Sequence, residues 1–160
     1  MKQYSHIILF LSLIFTQNVE ISIINVDEVD GTLDMHVVNS DSIGSFQLEV
    51  LGIEINNIYG DDALVGENNF ILDITNNFIL GSGLGANFIP ASDGVLFSIS
   101  FDSHEDEIYF GQVTFSGING TNFDEQSINY CFVENDCAGE CGGLAVIDEC
   151  EVCDDDNSND

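Results

Sequence analysis

Basic residues are almost missing from this chain. Among 160 residues a single Lys or Arg, Lys2, stands against 29 Asp or Glu, and the formal net charge is -28. Phosphates need Lys and Arg to neutralise them, so nucleic acid is excluded as a partner. Anionic membrane surfaces are disfavoured for the same reason. Trp is absent, and with it the largest flat ring on which a sugar stacks. There is no Gly-x-Ser-x-Gly nucleophile motif and no Lys to complete a phosphate-binding loop. The chain is nevertheless not a disordered acidic tail: 44% of it is hydrophobic and only 19% is charged. That length suits one domain with an appendage.

Lys2 precedes the apolar run Ile7 to Phe15. A run this short cannot cross a hydrocarbon core of about 30 Å, but it suits the apolar region of a secretory signal. Residues 1–18 are therefore read as a signal peptide, cleaved within Thr16 to Val19; a buried first strand or a short membrane anchor are the alternatives. No Cys stands nearby to accept a lipid. Cleavage removes Lys2, leaving a protein with no Lys or Arg, whose ion pairs require protonated His36 or His104. Like-charge repulsion then opposes compaction, and cations from the medium must offset it. A salty or calcium-containing exterior follows, with no membrane insertion after cleavage and stability that rises with salt or divalent ions.

From Val19 to Val133 the pattern has period two. Leu33, Met35 and Val37 alternate with Asp34 and His36, and Phe46, Leu48 and Val50 alternate with Gln47 and Glu49. Ile53 and Ile55 begin another segment, and Phe70, Leu72 and Ile74 form a further one. Val95, Phe97, Ile99 and Phe101 give the clearest strand; Ile108 with Phe110, Val113 with Phe115, and Ile128 with Tyr130 and Phe132 complete the series. Gly31 supplies a turn after Val29-Asp30, Gly111 a bulge or turn, and Gly81 to Gly85 a connector. Asp61-Asp62 and the acids from Asp102 to Glu107, with His104 among them, are expected on solvated turns. Eight or nine strands predict an all-β, antiparallel two-sheet β-sandwich over residues 19–133.

After Val133 large apolar groups become scarce and four of the five Cys follow. Residues 134–160 cannot bury a core, so disulfides or metal must order them. Cys131, Cys137, Cys141, Cys150 and Cys153 are disulfide candidates, since an exported protein oxidises its thiols. A zinc site is the rival, although the eight-residue spacer between Cys141 and Cys150 is short for a zinc ribbon. The connectivity stays open, and five Cys leave one over or require a sixth beyond the end. Asp154, Asp156, Ser158 and Asp160 place oxygens at alternate positions of a candidate calcium loop. Asn157 stands where such a loop prefers Gly, and a solvated acidic tail is the alternative.

Two stretches resemble known modules. Ile43 to Val50 (IGSFQLEV) and Phe88 to Phe101 (FIPASDGVLFSISF) are similar to cohesin-like modules of secreted bacterial proteins, over roughly residues 20–133. Cellulosomal cohesins carry Tyr-Asp-Pro where this chain has Leu51-Gly52-Ile53, which weighs against dockerin binding. Asp136 to Ser158 resembles the Cys-rich D-C-A-G-x-C-G-G…D-E-C-x-x-C-D-x-D-N-S repeat of extracellular proteins, itself like calcium-binding thrombospondin type 3 segments; Glu151 and Asp155 stand where that repeat has Gly. The resemblance implies a secreted or cell-surface, non-catalytic module for adhesion, scaffolding or polysaccharide-associated assembly. Its partner would be an extracellular protein or a polysaccharide. A carbohydrate-binding accessory module is the second reading, with Tyr59, Tyr109 and Tyr130 as its candidate ring contacts; core or rim packing is the plainer role for each. A hydrolase built on a pair of carboxylates is a third, with no motif behind it.

Overall fold

The structure is a computed structural model that describes residues 18–128, 130, 131, 136–139, 141, 143–147 and 152–154. The expected signal segment lies outside the described residues except for Asn18, and so does the expected boundary at 133/134.

Period-two alternation yields β1 (Asn18–Asp27) and β2 (Thr32–Asn39), joined at Gly31. Gly31 adopts φ 61°, and its carbonyl accepts from the amide of Phe101 at 2.8 Å. β3 (Ile43–Tyr59) is followed by a single helical turn, α1 (Leu64–Glu67), which the sequence pattern had not marked. β4 (Phe70–Thr75) and β5 (Phe78–Gly83) form a hairpin whose turn places Asn76 at φ 55°, a conformation Asn tolerates well. β6 (Ser92–Gly117), β7 (Asp124–Ile128), β8 (Tyr130–Cys131), β9 (Val146–Ile147) and β10 (Cys153–Asp154) complete the chain.

Three expectations are corrected. The segments around Phe46 and Ile53 are one strand of 17 residues, and those from Val95 to Phe115 are one strand of 26. Asp102 to Glu107, including His104, therefore lie within β6 and not on a turn. Their polarity reflects exposure on a strand, which turn chemistry alone does not distinguish from a loop. Gly81 and Gly83 belong to β5, and only the residues after Gly83 connect onward. Gly81 is needed because the Phe46 ring occupies the space a β-carbon would take. The bulge at Gly111 is present: Leu48 pairs with Val113 but Val50 with Phe110, so β6 carries one extra residue there.

One hydrogen-bonded path runs β4-β5-β3-β6-β2-β1-β7, with β8 beside β6 and a separate β9–β10 pair. All pairs are antiparallel except β1 with β7. The path folds over into two layers. Phe97 of β6 lies one residue beyond the Tyr59–Ser98 pair, whereas Phe46 stands 13 residues back along β3. In a flat sheet they would be roughly 40 Å apart, yet their ring centroids are 5.8 Å apart. The irregular registers between Leu48 and Asn57, including Gly52 at φ 83°, accommodate the bend. One layer is thus β4-β5 with the first half of β3 and the second half of β6. The other is the second half of β3, the first half of β6, β2, β1 and β7.

Between the layers lie Ile21, Leu33, Met35, Leu48, Ile79, Phe97, Ile99, Ile108 and Phe115, all fully buried. Phe46 stacks on Phe70 and Phe97 and tilts against Phe115, so one ring couples β3 with β4 and with both halves of β6. Burying such a side chain is worth about 1.5–3 kcal/mol. No carboxylate is buried among the described residues; the buried polar residue is Asn39. Its amide donates to the carbonyls of Asp41 and Pro90 at 2.7 and 2.9 Å, pinning two loops at one end of the sandwich.

Candidate interaction surface

Alternation sends every second residue of the β4-β5-β3-β6 layer outward. Ser45 and Gln47 of β3, Leu80 and Ser82 of β5, and Thr114 and Ser116 of β6 share that outer face because Ser45 pairs with both Ser82 and Ser116, and Gln47 with both Leu80 and Thr114. Together with Ile71 and Asp73 of β4 they line a shallow depression of about 470 Å³. Ile71 and Leu80 are 49% and 42% exposed, an apolar pair with no cover among the described residues. Beside it the amide of Gln112 donates to the Glu49 carboxylate at 3.0 Å, which holds that acid along the bulge and away from the depression's floor. The depression thus combines Ser, Thr and Gln side chains with two aliphatic ones and a single acid, Asp73. It presents apolar area that a partner can bury.

The three tyrosines are not brought together. Tyr59 ends β3 opposite Ser98 and is 52% exposed over a groove of about 430 Å³ that includes Asp34, Asp61 and Asp62. Its hydroxyl lies 3.4 Å from the Ser100 hydroxyl. Hydrogen bonding from Ser100, then from Asn57, draws the phenol below its ordinary titration range. Tyr109 is half-buried opposite Leu51 and borders a different depression, shared with His104 and Glu105. Tyr130 pairs with Ile108 and packs on the core. A single aromatic platform is therefore not formed by these rings.

Of the two histidines read as candidate cations, His36 places Nε2 3.0 Å from the Asp93 carboxylate, an ion pair when the ring is protonated. His104 sets its ring edge-on to Phe101 and its Nδ1 2.8 Å from the Glu105 carbonyl.

In the tail, Cys131 is bonded to Cys141 and Cys137 to Cys153. The first bridge joins residues on opposite sides of the expected 133/134 boundary and ties the tail to the last strand beside β6. Cys141 also approaches the Asp106 carbonyl, 3.4 Å away. The Asp136 carboxylate accepts from the amides of Ala138 and Ala145, closing the first tail loop. Sequence spacing alone left this connectivity open, because pairing depends on which Cβ atoms the fold brings within reach. Cys150 lies outside the described residues, as do Asp156, Ser158 and Asp160; Asp154 sits in β10 opposite Val146. Among the described residues no group of three or more His, Cys, Asp or Glu is placed to hold a metal ion, and no helix is long and apolar enough to cross a membrane.

Neither a protein-family model nor a curated protein sequence matches the chain. Solved structures do. A chain of the crystallised complex between CaDoc0917 and CaCohA2 superposes with a TM-score of 0.55 at 15% identity, covering 70% of this chain and 96% of that one. A non-cellulosomal cohesin from the hyperthermophilic archaeon Archaeoglobus fulgidus aligns at 18% identity over 71% of this chain and 87% of its own, with a TM-score of 0.48. The type I cohesin–dockerin complex Coh-OlpC–Doc435 from Clostridium thermocellum gives 16% identity, 71% and 92% coverage and a TM-score of 0.47. At such identities the likeness concerns architecture, and in architecture this chain is a cohesin-like β-sandwich with a disulfide-bonded, Cys-rich C-terminal tail.

Proposed function

We propose that the protein is an exported, non-catalytic docking module that serves in cell-surface adhesion, scaffolding or polysaccharide-associated assembly. It binds a protein partner through the outer face of the β4-β5-β3-β6 layer. The observation that carries this reading is the exposed Ile71–Leu80 pair, set among Ser, Thr and Gln side chains with Asp73 as the one acid of the depression. Buriable area at the centre with acids around it is the usual anatomy of a protein interface. The surrounding charge selects a partner with Lys and Arg at its rim. The fold neighbour of the CaDoc0917–CaCohA2 complex is itself crystallised with a protein partner, which supports the analogy. The side-chain oxygens of Asp154, Asp156, Ser158 and Asp160 are assigned to calcium on their alternate spacing.

A photoreactive residue at Gln47 or Thr114 tests the docking face. Each is expected to crosslink a protein from the culture fluid of the producing organism, and Leu80→Lys is expected to abolish the product. Equal crosslinking from a photoreactive residue at Val29, far from that face, or detected hydrolysis of a polysaccharide by the purified chain, overturns it. The second reading, carbohydrate binding, is favoured by Tyr59, whose half-exposed ring borders a groove with Asp34, Asp61 and Asp62. A glycan array with wild type and Tyr59→Ala, Tyr109→Ala and Tyr130→Ala separates the two; a signal lost in Tyr59→Ala selects the sugar.

A further inference from the structure

A second surface, on the inner side and free edge of β4 and sharing only Asp73 with the docking face, has the makings of a peptide groove. β4 ends the hydrogen-bonded path and has only β5 beside it, paired without a register shift from Phe70–Gly83 to Thr75–Phe78. Its other edge carries no strand among the described residues. β3 is in the same position beyond Val50. There its last contact on the β5 side is the Val50 amide donating to the Asn77 carbonyl, and residues from Ile53 to Tyr59 pair only with β6. The sandwich thus has one open side, bounded by two strand edges that belong to different layers.

Between those edges lies a slot of about 340 Å³. Its walls are Ile58 from β3, Val65 from α1 and Phe70, Leu72 and Ile74 from β4, and its rim carries Asp61 and Asp73. Phe70, Leu72, Ile74 and Ile58 all pack on the core yet remain only partly buried. The core is therefore less completely sealed here than behind β1 and β2, where Ile21, Leu33 and Met35 lose all exposure. Natural edge strands are usually blunted by Lys, Pro, a bulge or a covering element. β4 (FILDIT) has no Lys, no Pro and no bulge, and of α1 only Val65 is fully buried against the slot.

We infer that this open side accepts an extended peptide strand from a partner, with aliphatic residues facing the slot and Lys or Arg at the alternating positions. The backbone edge supplies the ladder for strand addition, and the slot reads every second side chain. Charge selects the occupant. Asp61 and Asp73 line the slot, Asp62 and Glu67 are exposed nearby, and no Lys or Arg occurs anywhere after Lys2. A second copy of this chain would set acid against acid, whereas a basic strand pairs with the rim as it enters.

The test uses the oxidised full chain and a labelled peptide of sequence acetyl-Lys-Val-Lys-Ile-Lys-Val-Lys-amide. Fluorescence anisotropy is expected to show saturable binding. Hydrogen exchange is expected to slow in 70–75 and 53–59. The same peptide N-methylated at Val and Ile keeps its charge and side chains but loses the amide donors, and is expected to bind roughly tenfold more weakly. Asp61→Lys is expected to weaken binding several-fold, and Val29→Lys, in the exposed β1–β2 turn, to leave it unchanged. Equal affinity for the N-methylated peptide, exchange protection confined to other strands, no saturable binding, or a dimer in sedimentation whose β4 is already protected would each overturn the proposal.

Discussion

The ring of Phe46 lies stacked on that of Phe97, with centroids 5.8 Å apart and planes within 13°, and this contact fastens the two layers to each other. It exists because Gly81, directly across the ladder from Phe46, leaves the ring its place. Phe46→Ala is expected to cost about 3–5 kcal/mol by opening a cavity between the layers. Gly81→Val is expected to cost about 1–3 kcal/mol or more by driving the ring out of the stack. Urea denaturation followed by Tyr fluorescence or circular dichroism measures both. A Gly81→Val protein as stable as wild type would refute this account of the core.

Cys131–Cys141 moors the tail to the sandwich, and Cys137–Cys153 closes the tail on itself. Alkylation of the unreduced protein is therefore expected to leave Cys131, Cys137, Cys141 and Cys153 unlabelled in peptide mass mapping. Cys131→Ser with Cys141→Ser is expected to speed hydrogen exchange across residues 136–154 while the strands of the sandwich keep their protection. Equal acceleration in β2 and β3 would instead make the bridge part of the global fold.

Asn39 is expected to be worth more than its size suggests, since its amide holds the carbonyls of Asp41 and Pro90 from a buried position. Asn39→Ala strips both carbonyls of their donor and is expected to destabilise by about 1–3 kcal/mol. Asn39→Asp, which removes the same donor and buries a charge, is expected to cost more. A thermal melt series of the three proteins decides the order.

With no Lys or Arg after Lys2, counter-ions must supply what salt bridges supply elsewhere. The melting temperature is expected to rise by several degrees from dilute buffer to added sodium chloride. Calcium chloride at equal ionic strength is expected to raise it further, and a chelator to reverse that extra increment. Identical melting in calcium and sodium salts of matched ionic strength would remove calcium from the account.

Tyr59 offers a pH test. Ser100 and Asn57 lower its phenol pKa, so the folded state favours the phenolate relative to the unfolded chain. The associated stabilisation is present above the unfolded value and is lost as pH falls through the folded one. Ultraviolet titration is expected to show one Tyr ionising early, and Ser100→Ala to return it toward the usual alkaline range.

Much of the sandwich was legible in alternation. Leu33, Met35 and Val37, or Phe97, Ile99 and Phe101, can bury one face only as strands, and Gly31 and Gly111 mark a turn and a bulge because few other residues suit those places. What alternation could not show was continuity. The polar run Asp102 to Glu107 reads like a turn, yet it is the exposed middle of β6, held by pairing with β3 at positions far away in sequence. Gly81 likewise reads like a connector until Phe46 is placed against it. The apolar depression of Ile71 and Leu80 was hidden for the same reason, since its residues come from four strands and meet only through register.

The amino-acid order by itself determined the class of fold, the strong acidity, and the need for sulfur to hold a tail without a core. These are local or compositional properties, set by side-chain period and by counts of charge. Tertiary structure alone decided which cysteines meet, where two strands bend from one layer into the other, and which edges and faces stay open. Those depend on non-local pairing, where residues tens of positions apart must come within a few ångströms before any energy is gained.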